Sequence, residues 1–160
     1  MNDFAQHSAG GRLRVVIADD SSAVRDSLSS LLSSAADIEI VGTAENGFQA
    51  VELVRSLKPD VLTLDLRLPG LDGLAVLQTL QKEQRKTSVV VMTGYDEPEY
   101  RERCLELGAT RFFHKVWEMD KALTLLLDYA SLHTNSRYPA ARTPELNEAN
   151  RLLLPASIPS

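Results

Sequence analysis

Five short apolar runs alternate with five segments whose apolar residues recur at helical spacing, and this alternation constrains the fold more than any other feature. The runs are Leu13 to Ala18, Ile38 to Ala44, Val61 to Leu64, Ser88 to Met92 and Thr110 to Phe113. Between them, Val24, Leu28, Leu31 and Leu32 share one helical face. Ala50, Val51, Leu53, Val54 and Leu57 share a second, and Leu74, Val76, Leu77 and Leu80 a third. Further helices are predicted over Glu97 to Leu107 and Met119 to Leu132. Asp20 or Ser21 caps the first helix, Asn46-Gly47 opens the second, and Lys58-Pro59 stops it. Gly108 reads as a left-handed end to the fourth. A strand followed by a helix, five times over, implies an α/β fold with a parallel sheet covered on both faces.

The chain has 160 residues, enough for one domain with tails. Its 44% apolar and 24% charged content is that of an ordinary globular protein, and the net charge of −5 argues against a general nucleic-acid binder. The single cysteine, Cys104, excludes an intrachain disulfide and a multi-cysteine metal site. It falls in a helical pattern and reads as a packed or half-exposed thiol. No secretory signal is visible and no apolar run approaches the ~18 residues of a membrane span, so a cytoplasmic location is expected. Residues 1–11 read as a flexible N-terminus, 12–133 as the folded domain and 134–160 as a linker-like tail. Within the tail, 144–154 has the pattern of one short helix.

Polar residues collect where the apolar runs end. Asp19 and Asp20 follow the first, Asp65 the third, Thr93 the fourth and Lys115 the fifth. In a parallel sheet these ends share one edge, the edge at which open α/β folds bind ligands. Each residue has a plain alternative: Asp65 can cap the Pro69-Gly70 turn, and Asp19-Asp20 can be a solvated turn with a helix cap. Taken together they are suited to phosphoryl transfer onto a carboxylate. A carboxylate is a competent nucleophile, and Mg²⁺ takes carboxylate oxygens. An ammonium and a hydroxyl can engage the transferring oxygens. There is no GxxxxGK[ST] nucleotide loop, so the phosphoryl group is expected from a donor protein or a small phosphodonor. A small hydrolase is disfavoured, because no nucleophile elbow is present.

Four motifs at coherent spacing, Ile17-Ala18-Asp19-Asp20, Asp65 through Gly73, Val91-Met92-Thr93-Gly94 and Gly108 through Lys115, carry a resemblance over about 13–132. The chain resembles the receiver domain of two-component response regulators. The resemblance implies a flavodoxin-like (βα)5 fold with strand order 2-1-3-4-5. It implies that Asp65 accepts the phosphoryl group as the sole phosphorylation site. Asp19, Asp20, Asp65 and the backbone carbonyl of Arg67 would hold Mg²⁺, and Thr93 and Lys115 would contact phosphoryl oxygens. Phe112 occupies the aromatic switch position, coupled to Thr93. Arg67 and Tyr95 occupy positions that border the phosphoryl group and are expected to set its lifetime. The implied chemistry is limited to Mg²⁺-dependent self-phosphorylation and autodephosphorylation.

The implied partners are a sensor histidine kinase or a histidine phosphotransfer protein, and a downstream protein on the face made by the fourth helix, fifth strand and fifth helix. A phosphorylation-dependent homodimer is a further option; membrane and DNA partners are not expected for this chain. The wording of residues 38–47 is similar to regulators with a LuxR-type DNA-binding domain, and Thr143-Pro144-Glu145-Leu146 resembles the start of such a domain. The alternative function is therefore the receiver portion of a truncated transcriptional regulator. Two departures stand out. Val116 follows Lys115 where many receivers have Pro, so a trans peptide is expected. The switch residue is Phe, which has no hydroxyl. His114 is expected to point away from Lys115 as a surface histidine, and Trp117 to be a packing anchor or partner contact.

Overall fold

A computed structural model describes residues 11–95 and 97–135. The strands are β1 (Leu13–Ala18), β2 (Ile38–Ala44), β3 (Val61–Leu64), β4 (Ser88–Thr93) and β5 (Arg111–His114). The helices are α1 (Ser22–Ser33), α2 (Gly47–Leu57), α3 (Gly73–Lys82), α4 (Pro98–Glu106) and α5 (Met119–Asn135). All strand pairs are parallel and the order is β2-β1-β3-β4-β5. The alternation read from the sequence is therefore the architecture, element for element. The expected short helix at 144–154 and the expected N-terminus, Gly11 apart, lie outside the described residues.

The three central strands explain their own sequence. Every residue of β3 is buried, and β4 is buried from Val89 to Thr93, because helices cover both faces. Two apolar clusters result. Ala50, Val54, Val76, Leu77, Leu80 and Cys104 bring α2, α3 and α4 onto one face, against Leu62, Leu64 and Val91. Leu28, Leu32, Ala122 and Leu126 bring α1 and α5 onto the other, against Val15, Ile17 and Val90. Residues alternate between the two clusters along each strand, as a pleated sheet requires.

Helix starts are placed by capping side chains that accept backbone N–H bonds: Ser21 from Val24 at 3.3 Å, Asn46 from Gln49 at 2.8 Å and Asp72 from Ala75 at 2.9 Å. Each such cap contributes about 1 kcal/mol. Ser21, not Asp20, caps α1, which leaves the Asp20 carboxylate exposed. Lys58 takes a left-handed conformation (φ 49°) to end α2, and Pro59 prevents continuation. Gly108 ends α4 with φ 99°. α5 runs past Leu132 to Asn135. Its end is held by His133, 3.9 Å from Asp60, and by the Thr134 hydroxyl, which donates to the Gly11 carbonyl at 3.4 Å.

Packing settles Cys104 and corrects one reading. Cys104 is the packed thiol of the two options: it is fully buried, and burial pushes its pKa up to about 11, so it is an inert core residue. His114 is not a surface histidine: it is 6% exposed. Its Nδ1 accepts the Val116 N–H at 3.0 Å, and its ring stacks on Trp117 with centroids 4.5 Å apart. A turn that lacks proline leaves these N–H groups free, and the imidazole satisfies them. No peptide among the described residues is cis, so Lys115-Val116 is trans as expected.

Candidate functional site

The carboxyl ends of β1, β3, β4 and β5 deliver the side chains named from the sequence to one edge. Asp65 leaves β3 with its N–H bonded to the Ala18 carbonyl at 3.0 Å, so the ends of β1 and β3 are locked in register. Gly73 opens α3 directly behind this point. A Cβ there would lie 2.6 Å from Leu66 Cα and 2.7 Å from the Asp65 carbonyl oxygen, so only glycine permits this approach.

Lys115 is the hub of the site. Its Nζ lies 2.7 Å from Asp19 Oδ2 and 2.9 Å from Asp65 Oδ2. Asp19 Oδ1 accepts the Ser21 N–H at 2.9 Å, and Asp65 Oδ1 accepts the Arg67 N–H at 3.2 Å. One ligand oxygen from each of Asp19, Asp20 and Asp65 can be chosen so that all lie within 4.8 Å of one another. That oxygen set fits a hard divalent cation, which takes carboxylate ligands. Asp19 and Asp65 are buried and Asp20 is exposed.

The charge balance supports the same fit. Burial is the main influence on Asp19 and raises its pKa; the bonds from Lys115 and Ser21 oppose this, and the Asp65 charge adds to it. Burial alone would lower the Lys115 pKa, but its hydrogen bonds to Asp19 and Asp65 outweigh it, so the ammonium pKa is raised. The Asp19 direction thus reflects mainly burial, and the Lys115 direction its two carboxylate partners. A pH dependence follows. With its folded pKa raised, Asp19 contributes stability that is fully present below its unfolded pKa and is lost as pH rises through the folded value. Asp19→Asn is therefore predicted to be more stable than the parent at pH 7 without divalent metal. Denaturant melts should show that advantage shrinking as pH falls toward 4; a gain independent of pH would refute the account.

Thr93 is fully buried at the end of β4. Its carbonyl accepts the Lys115 N–H at 2.8 Å and its hydroxyl accepts the Tyr95 N–H at 3.3 Å. Beside it, a Cβ on Gly94 would meet only open space. Phe112 is buried within β5. Arg67 and Tyr95, from separate loops, meet: the guanidinium carbon sits 4.4 Å from the ring centroid. Two arginines were not singled out by the sequence. Arg25 donates to the Asp19 carbonyl at 2.7 Å, and Arg101 contacts Phe112. Arg25 lies four residues after the cap Ser21, a spacing that returns a side chain to the helix start. Arg101 is hidden in a charge run that reads as a solvated face.

The geometry has its counterpart in known proteins. The model of the response regulator receiver domain matches residues 15–127. The chain belongs to the response regulator receiver domain family. Such a receiver serves phosphorylation-activated signalling in two-component systems, working with histidine kinases, phosphotransfer proteins and downstream effectors. Among its relatives is protein-glutamate methylesterase/protein-glutamine glutaminase 5 of Myxococcus xanthus, 44% identical over 104 residues, which are 64% of this chain and 30% of that protein. Another is the probable transcriptional regulatory protein NarL of Mycobacterium tuberculosis, 33% identical over 119 residues, 74% of this chain and 55% of that protein. The receiver thus spans about a third to a half of these relatives. The solved signal receiver domain of Mycobacterium tuberculosis NarL superposes with a TM-score of 0.70 at 32% identity, covering 75% of this chain and 97% of that one. The response regulator domain of Thermotoga maritima CheB does so with 0.67 at 29% identity, covering 78% and 97%. The expected flavodoxin-like fold is borne out. No described helix is long and apolar enough to cross a membrane.

Proposed function

We propose that Asp65 is the phosphoacceptor of this receiver and that phosphorylation is read out through protein contacts rather than through catalysis on another substrate. The observation that carries this reading is the Lys115 ammonium, bonded at once to Asp19 and Asp65 at the carboxyl edge of the sheet. In the proposed step an Asp65 carboxylate oxygen forms a bond to phosphorus, and the bond from phosphorus to the donor breaks with its electron pair leaving on the donor. Lys115 then turns from the carboxylate to a phosphoryl oxygen, and the Thr93 hydroxyl donates to another. Asp19, Asp20, Asp65 and the Arg67 carbonyl would hold Mg²⁺, which when bound supplies positive charge against the phosphoryl oxygens. The domain is proposed to span 11–135 rather than 12–133, because α5 continues to Asn135 and the Thr134 hydroxyl bonds the Gly11 carbonyl, and to act in the cytoplasm. The test is Mg²⁺-dependent gain of one phosphoryl group from a small phosphodonor, followed by intact mass. No gain at saturating Mg²⁺ and donor would refute the reading.

The proposed output face comprises α4, β5 and α5. Thr93 moving toward the phosphoryl group makes room for Phe112, and a partner that binds one arrangement better shifts the balance. Trp117, 71% exposed beside the buried His114, and Val116, 66% exposed, supply apolar contact area there for a downstream protein or a second copy. A second reading, the receiver portion of a DNA-binding regulator, is favoured by the 33% identity to a transcriptional regulator. Duplex binding by this chain in a gel shift would support it.

The same frame sets the lifetime of the signal. Hydrolysis needs water to reach phosphorus opposite Asp65, and Arg67 stacked on Tyr95 joins the two loops flanking that approach. Parting such a pair costs about 0.5–1 kcal/mol at an exposed site, or roughly two- to fivefold in rate. The Arg67→Asn, Tyr95→Glu double variant should lose its phosphoryl group faster than the parent by that factor. First-order decay of the purified phosphoprotein with Mg²⁺ saturating is the measurement, and equal or slower decay would contradict the role.

A further inference from the structure

We propose that Arg101 is a positioning residue that holds the Phe112 ring in its buried place and so sets how readily the domain switches. The inference rests on the switch role proposed above for Phe112.

Arg101 lies on α4, among glutamates that suggest a purely solvated surface. Its guanidinium instead turns inward. The carbon Cζ sits 4.7 Å from the centroid of the Phe112 ring. Nη1 donates to the Phe112 carbonyl at 3.2 Å, and Nη2 lies 3.6 Å from Glu118 Oε1. The same Glu118 oxygen accepts the His114 N–H at 2.7 Å, and the Glu118 N–H donates to the His114 carbonyl at 2.9 Å. One side chain thus ties α4 to β5 and to the turn that enters α5.

The contacts divide into two kinds. The Phe112 carbonyl and the Glu118 carboxylate fix where the planar fork sits, and neither depends on the rotamer of the Phe112 ring. The contact between cation and ring does depend on it, because the ring leaves the guanidinium when it swings out. Only a contact that differs between two states moves their balance. Arg101 therefore favours the inward ring specifically, and Glu118 acts by holding Arg101 in place. The Phe112 ring, lacking the hydroxyl of a tyrosine, has no polar atom to be held by in either position. In this chain the role falls to the arginine above the ring.

The test uses the full chain carrying 4-fluorophenylalanine, with the Phe112 resonance assigned by its loss in Phe112→Leu. Fluorine NMR reads the balance of inward and outward ring without phosphodonor, and with phosphodonor and Mg²⁺. Arg101→Met keeps the aliphatic stem and removes the cation. It should raise the outward-to-inward ratio about two- to fivefold before phosphorylation. Arg101→Lys, which keeps a charge without the fork, should fall between parent and Arg101→Met. Glu118→Gln should move the ratio in the same direction by less, and it covers the case in which Arg101→Met is poorly folded. If the parent ring moves on phosphorylation but neither Arg101→Met nor Glu118→Gln changes the resting ratio, the role of Arg101 is overturned and the switch role of Phe112 stands. If the parent ring does not move while intact mass shows full phosphorylation, the switch role falls and the inference falls with it.

Discussion

Asp65→Asn is expected to take up no phosphoryl group from a small phosphodonor at saturating Mg²⁺, a loss of at least about 1,000-fold in rate. The amide has nearly the shape of the carboxylate and keeps an oxygen for Lys115 or the Arg67 N–H to donate to, so the sheet edge should not collapse. What disappears is the anionic nucleophile. The neighbouring carboxylates do not replace it. Asp19 is buried and held by Lys115 and the Ser21 N–H, and Asp20 is exposed to solvent. The variant should also be no less stable than the parent without metal, because one of the carboxylates sharing Lys115 has been neutralised. Intact mass after incubation reads the first effect and a denaturant melt the second. Stoichiometric labelling of Asp65→Asn would show that the acceptor is another residue.

Gly47→Ala is expected to destabilise the domain by roughly 3 kcal/mol, at or beyond the upper end of ordinary overpacking. Helix propensity points the other way, since alanine is favoured over glycine by about 1 kcal/mol inside a helix. Packing decides the sign. A Cβ on Gly47 would lie 1.7 Å from the Leu71 carbonyl oxygen and 2.7 Å from Leu71 Cβ, and a backbone atom cannot swing aside as a side chain can. The Gly47 N–H also donates to the Pro69 carbonyl at 3.3 Å, so the start of α2 is seated on the loop that follows Asp65. Pushing that loop away should loosen the Arg67 N–H bond to Asp65, so labelling should slow as stability falls. Glu52→Ala, exposed on the same helix, is the control and should stay within about 0.5 kcal/mol. A Gly47→Ala melt indistinguishable from that control would mean the loop yields without cost.

Much of the site was legible because strand periodicity and chain order do the geometric work. Asp19, Asp65, Thr93 and Lys115 each follow the last residues of an apolar run, and a parallel sheet brings all such ends to one edge. The Lys115 bonds to Asp19 and Asp65 realise that expectation directly. The role of Arg101 is not legible in the sequence, for the opposite reason. It sits in a charge run with the exposed Glu99, Glu102 and Arg103, and nothing local says that this one guanidinium turns onto a ring eleven positions further on. The burial of His114 is invisible in the sequence for a similar reason. Alternation along β5 says nothing of what lies over a strand's last residue, and the burial of His114 depends on the turn N–H groups it satisfies and on Trp117 folding over it.

The amino-acid sequence by itself determined the order of strands and helices, the two-sided burial of the sheet and the identity of the residues at its carboxyl edge, because each of these depends on local periodicity and turn chemistry. The tertiary structure alone decided which cation pairs with which carboxylate, why Gly47 and Gly73 tolerate no side chain, that Arg67 lies on Tyr95, and that Arg101 lies on Phe112. Those contacts join loops and helices far apart in the chain, and their energies depend on distances that no local pattern encodes.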